Sequence, residues 1–177
     1  MNLFICCSAN ENTTKEHLDD SKKVFEKILE NNNLVFGVCN SGIMGLAYKI
    51  AKKNHRKIIG ICPTFYSEWF QKLQCDIEIE TTTMIDSTMK IIENSDAIIV
   101  MPGGFGTIYE LFVSIQTKIC EEHNLPIIIY NSCGYYDNLI KFIKDMYQNN
   151  YAKESIQSKY KIANNLEELI VLIENIK

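Results

Sequence analysis

The sequence predicts an α/β fold, a Rossmann-like, doubly wound and mainly parallel sheet with helices on both faces, over one domain spanning 1–177. Three observations predict it. Short apolar runs alternate with longer segments of helical period. Several runs are apolar at successive positions, as strands buried on both faces are. No composition break, repeat or low-complexity segment marks a second domain.

The elements follow in order. "NLFICCS" (2–8) reads as the first strand. "TKEHLDDSKKVFEKILENN" (14–32) carries apolar residues at 18, 25, 28 and 29 among charges, an amphipathic helix. "LVFGVC" (34–39), a helix over 41–54 and "KIIGICP" (57–63) come next. Residues 64–75 read as irregular, and "DIEIETT" (76–82) alternates as a short strand does. A helix over 84–95 leads to the apolar strand "AIIVM" (97–101). A helix from about 104 to 122, the strand 126–130, a helix over 135–149 and a helical piece at 152–158 follow. A small strand at 160–163 and a last helix over 164–176 end the pattern.

Composition narrows the function. Net charge is -4, without an acidic or basic tail, so neither nucleic acid nor a membrane surface is the expected partner. The apolar runs 97–101 and 125–130 are too short to span a bilayer. The amino-terminal residues enter a strand without a basic region, so no signal peptide is expected. Seven cysteines, an odd number with no C-x-x-C pair, point to a reduced, cytoplasmic protein rather than a metal ribbon or disulfide scaffold. His17, His55 and His123 lack metal or triad spacing, and no metal site is expected.

In a doubly wound sheet the ligand sits beyond the carboxyl ends of the strands. The first such loop, "CCSANEN", has no glycine, and neither the dinucleotide fingerprint nor the P-loop pattern occurs. The glycine-rich loop follows the central strand: "SDAIIVMPGGFGTIYELF", 95–112. Gly103, Gly104 and Gly106 allow close backbone approach, and the helix start supplies unpaired N–H donors and a partial positive charge. A phosphate would be held there by Gly103, Gly104, Phe105, Gly106 and Thr107 without lysine or arginine. Thr107 and Glu110 have the T-x-x-E spacing, which has two readings: a capping box, or a carboxylate aimed into the crevice.

"PGGFGTIYE" resembles the P-G-G-x-G-T-x-x-E signature of the LONELY GUY family, long labelled lysine decarboxylases. "LPIIIYNSCGYYDNLIKFI" is similar to its following strand and G-Y-Y-D segment, and "SGIMG" (41–45) to its G-L-M-G turn. The resemblance covers roughly residues 2–150. It implies a nucleoside-5′-monophosphate phosphoribohydrolase that releases a free base and ribose 5-phosphate from AMP-like or cytokinin nucleotides. Glu110 would be the catalytic carboxylate, and the glycine loop with Thr107 the phosphate site. The resemblance implies no cofactor, and a homodimer.

Two departures bear on activity. The family's Arg-Lys pair falls on Ser87 and Thr88, with Lys90 three residues after Ser87. Its G-G-G run after the second strand is replaced by Gly37-Val38-Cys39-Asn40. An alternative reading is therefore a nucleotide-binding protein of the same fold with impaired catalysis. Ser8, Ser41, Gly42, Ser87, Thr88 and Lys90 are further candidate nucleotide contacts. Trp69, Tyr66 and Phe70 either cover the base or pack a loop; Tyr135 and Tyr136 either line the crevice or start a helix.

Overall fold

The computed structural model describes residues 1–176. Seven strands form one sheet: β1 (Asn2–Cys6), β2 (Asn33–Phe36), β3 (Ile58–Pro63), β4 (Ile77–Thr81), β5 (Ala97–Val100), β6 (Ile127–Tyr130) and β7 (Lys161–Ala163). Their spatial order is β4-β3-β2-β1-β5-β6-β7, and every pairing is parallel. The strand order reverses direction between β1 and β5, which creates a crevice at their carboxyl ends.

The helices are α1 (Lys15–Ile28), α2 (Gly42–Lys53), α3 (Glu68–Lys72), α4 (Met84–Glu93), α5 (Phe105–Ile119), α6 (Asp137–Gln148) and α7 (Leu166–Glu174). They cover both faces of the sheet. Leu3 and Ile5 of β1 and Ala97 and Ile99 of β5 pack with residues of α1, α2 and α7. Phe4, Cys6, Ile98 and Val100 pack on the other face with residues of α4, α5 and α6. The strict alternation of strand side chains thus feeds two cores, and successive apolar residues are required.

The element order agrees with the sequence reading, and most boundaries shift by one to four residues. Segment 64–75 is more ordered than expected: a 3-10 turn at Thr64–Tyr66 precedes α3, whose Trp69 and Phe70 pack on the α2 side. The helical piece at 152–158 is a 3-10 segment, Glu154–Lys159. All seven cysteines are free. No helix among the described residues is long and apolar enough to cross a membrane.

Candidate active site

A cavity of about 480 Å³ opens at the carboxyl edge of the sheet, over the ends of β1, β2, β3 and β5. The loop after β5 forms one wall. Its first three carbonyls are all bonded. The Met101 carbonyl accepts from the Tyr136 hydroxyl at 2.7 Å, Pro102 from the Ser8 amide at 3.0 Å, and Gly103 from the Tyr135 hydroxyl at 2.8 Å. Tyr135 and Tyr136 therefore brace the loop, and neither lines the cavity. With the carbonyls held, α5 begins at Phe105 with Gly104 as its cap residue. Its first-turn amides are left free of helical partners, beside Gly104, Gly106 and Thr107 in the cavity wall.

Gly103 has a separate purpose. A Cβ there would land on the Thr107 side chain, which is buried. Gly104 and Gly106 have open space where a Cβ would stand. Phe105 points to solvent, 97% exposed, and is absent from the cavity wall.

The structure decides the T-x-x-E question. Thr107 lies inside the first turn and is not the cap, and no side chain caps α5. Glu110 lines the cavity one turn deeper, where its Oε2 accepts from the Cys6 thiol at 2.9 Å. Loss of water around the carboxylate raises its pKa from 4.5 to about 7, although the thiol hydrogen bond works in the opposite direction. Among the described residues, no arginine, lysine or histidine lines the cavity.

The facing wall comes from α4. Thr83 caps this helix by accepting from the Asp86 amide at 3.1 Å, and Ser87, Thr88, Ile91 and Ile92 form its buried stripe. Ser87, Thr88 and Ile91 reach the cavity. Their hydroxyls are engaged internally: Thr88 Oγ1 donates to the Met84 carbonyl at 2.9 Å, and Ser87 shares a hydrogen bond with Thr81. Lys90 faces the other way and pairs with Glu93 at 2.6 Å. The helical turn that brings 87, 88 and 91 inward sends 90 out, so Lys90 does not supply a cation to the site.

Among the other expected contacts, Ser8 lines the cavity, while Ser41 and Gly42 do not. Ser41 Oγ donates to the Ala9 carbonyl at 2.7 Å. Gly42 has φ +59, and a Cβ there would stand 2.6 Å from the Asn10 carbonyl oxygen. Both residues seat the β1–α1 loop. Val38 and Cys39 line the cavity at the positions where the sequence resemblance implies glycines, and Val38 has a left-handed backbone, φ 56. Tyr66, Trp69, Ile61, Pro63 and Met84 make the remaining wall largely apolar. Cys6 is a residue of this site that no sequence motif singles out. Strand alternation was the available signal, because it sets residue 6 on the same sheet face as 98 and 100, under α5.

A family model described as "Possible lysine decarboxylase" matches residues 44–173. The chain belongs to this family. It is 28% identical over 171 residues to the cytokinin riboside 5′-monophosphate phosphoribohydrolase LOG2 of Arabidopsis thaliana, covering 96% of this chain and 80% of that one. LOG4 of the same plant, named for the same activity, is 28% identical over 176 residues, covering 97% and 81%. Among solved structures, the molybdenum cofactor binding protein from Rippkaea orientalis superposes with a TM-score of 0.69 at 22% identity, covering 99% of this chain and 96% of that one. At that identity the likeness shows the fold alone. Among the described residues, the cavity wall has no lysine of the kind that carries pyridoxal in a decarboxylase.

Proposed function

We propose that this protein hydrolyses the N-glycosidic bond of a nucleoside 5′-monophosphate, releasing the base and ribose 5-phosphate. One observation carries the reading: a single carboxylate, Glu110, lies one helical turn beyond the free amides of the α5 amino terminus, in the same cavity. That spacing suits a 5′-phosphate on the amides and a ribose at the carboxylate. The apolar wall of Ile61, Pro63, Trp69 and Met84 then accepts the base. Water bonds to C1′, and the C1′–N bond passes its electron pair to the base. Glu110 takes the water proton and faces the positive charge that develops on the sugar, while the base acquires a proton from solvent. The ionised carboxylate is the working form, so turnover rises with pH through about 7.

A second reading, binding without cleavage, is favoured by the α4 wall. The positions of the family's Arg-Lys pair hold Ser87 and Thr88, both buried and bonded within the protein. A group that acts only in the transition state can be lost while ground-state binding survives. Incubation with AMP and related monophosphates, with detection of free base, separates the two. Release that disappears in Glu110→Ala supports the hydrolase; phosphate-dependent binding with no release by the unaltered protein establishes the binder instead.

A homodimer belongs to the same proposal. Phe105, Ile108, Tyr109, Phe112 and Val113 form an apolar groove along α5, and a second copy is the occupant the family resemblance implies. Phe105→Glu is expected to halve the sedimenting mass; an unchanged mass would rule out this face as the contact.

A further inference from the structure

The Glu110 carboxylate has one hydrogen-bond partner among the described residues, and it is a thiol. Cys6 is the last residue of β1 and is fully buried, on the sheet face that α5 covers. Its Sγ lies 2.9 Å from Glu110 Oε2 and 3.4 Å from the Thr107 carbonyl oxygen. A thiol has one hydrogen, and the nearer, charged acceptor takes it. The same sulfur thus contacts both the carboxylate and the helix turn that carries Thr107.

The other ionisable groups near this pair are Cys7 just after β1, Cys39 in the loop after β2 and Tyr136 behind Cys6. None is a cation. Burial first, and the adjacent Glu110 second, raise the Cys6 thiol well above its ordinary range, so it stays protonated and acts as a donor, not a nucleophile.

We propose that Cys6 is a positioning residue for Glu110, its thiol fixing one carboxylate oxygen against the sheet and leaving the other for the ligand. Its kinetic consequence rests on the hydrolase reading; its structural consequence does not. Removing the donor should raise the Glu110 titration midpoint, because the bond favours the ionised form.

The test compares Cys6→Ala, Cys6→Val and Cys6→Ser in the full chain. Valine fills the site without a donor, and serine restores one. The Glu110 carboxyl carbon is followed by NMR across pH, assigned by its loss in Glu110→Gln, alongside turnover of AMP. In Cys6→Ala and Cys6→Val the midpoint moves above about 7, kcat falls about tenfold and KM stays within about twofold, as for an interaction made in the transition state. Cys6→Ser returns the midpoint and the rate toward the unaltered protein. A midpoint that stays put in a folded Cys6→Val protein, or a serine variant as defective as valine, would overturn the proposal. Absence of base release even by the unaltered protein would instead remove the hydrolase reading, and the NMR midpoint would still decide the role of Cys6.

Discussion

Two strand-to-helix junctions meet at the cavity and solve the same geometric problem in opposite ways. After β5, Gly104 and Gly106 leave open space beside unpaired amides, and a half-buried carboxylate follows with no cation in the cavity among the described residues. After β2, the backbone still adopts a glycine-like conformation, but a valine occupies it and Gly42 is packed against the β1–α1 loop. Space and uncompensated charge at the first junction are costs a merely structural turn would not retain. Filled volume at the second stabilises the fold and narrows ligand access. The contrast supports the proposed site at the β5–α5 junction.

The sharpest challenge to that contrast is the stability of Glu110→Gln. The Glu110 pKa rises from 4.5 to about 7 on folding, so between those values the unfolded chain has released a proton that the folded chain holds. The unfolded state then binds fewer protons, and stability falls as pH rises through this window before levelling above about 7. At roughly 1.4 kcal/mol per pH unit, discounted for partial solvent access, the carboxylate costs about 1–3 kcal/mol at pH 8. Glu110→Gln should therefore be more stable than the unaltered protein by that amount at pH 8 and about equal to it near pH 4. Urea midpoints at the two pH values measure this. Equal stability at both would mean that the carboxylate is not desolvated, and the junction would lose its distinguishing cost.

Next come the three glycines, which look alike in the sequence. Gly103→Ala forces a methyl into the buried Thr107 side chain and should destabilise by about 1–3 kcal/mol, as overpacking does. Gly104→Ala meets nothing, so only its poorer capping should count, at about 0.5–1 kcal/mol. The methyl then stands at the cavity wall, and phosphate-dependent binding should weaken. Thermal unfolding and AMP titration of both variants test the split. Equal stability losses would return the whole loop to a packing role.

Much of this was legible in the sequence because strands buried on both faces and a glycine-rich turn leave local signatures. Ala97–Val100 reads as a buried strand from four residues, and Glu110 follows the glycines at fixed spacing. Direction was harder to read. Lys90 follows Ser87 by three residues, yet the stripe of 87, 88, 91 and 92 turns it outward to Glu93. Cys6 carries no local signal of its own, because its significance depends on Glu110, 104 positions away. Tyr135 and Tyr136 brace the carbonyls of Gly103 and Met101 across similarly nonlocal contacts. Such side-chain pairings arise from how α5 and α6 are laid on the sheet, which periodicity alone does not specify.

Val38 gives the smallest and most discriminating effect. A β-branched residue at φ 56 is strained, by about 1–2 kcal/mol on the usual left-handed penalty. Its side chain is buried, and burial of a valine stabilises by about 1.5–3 kcal/mol, enough to offset the strain. Val38→Ala removes most of the burial and keeps the strain, whereas Val38→Gly removes both. Alanine normally exceeds glycine in stability because it has less unfolded-chain entropy to lose. Here the order should reverse, with Val38→Gly more stable than Val38→Ala by about 1 kcal/mol and both less stable than the unaltered protein. If the β2–α2 junction is a filled version of a glycine turn, the glycine variant should also bind AMP more tightly, since the wall it opens faces the ligand. The normal order, alanine above glycine, would show that residue 38 does not sit in a left-handed turn, and the two junctions would no longer be alternative solutions to one geometry.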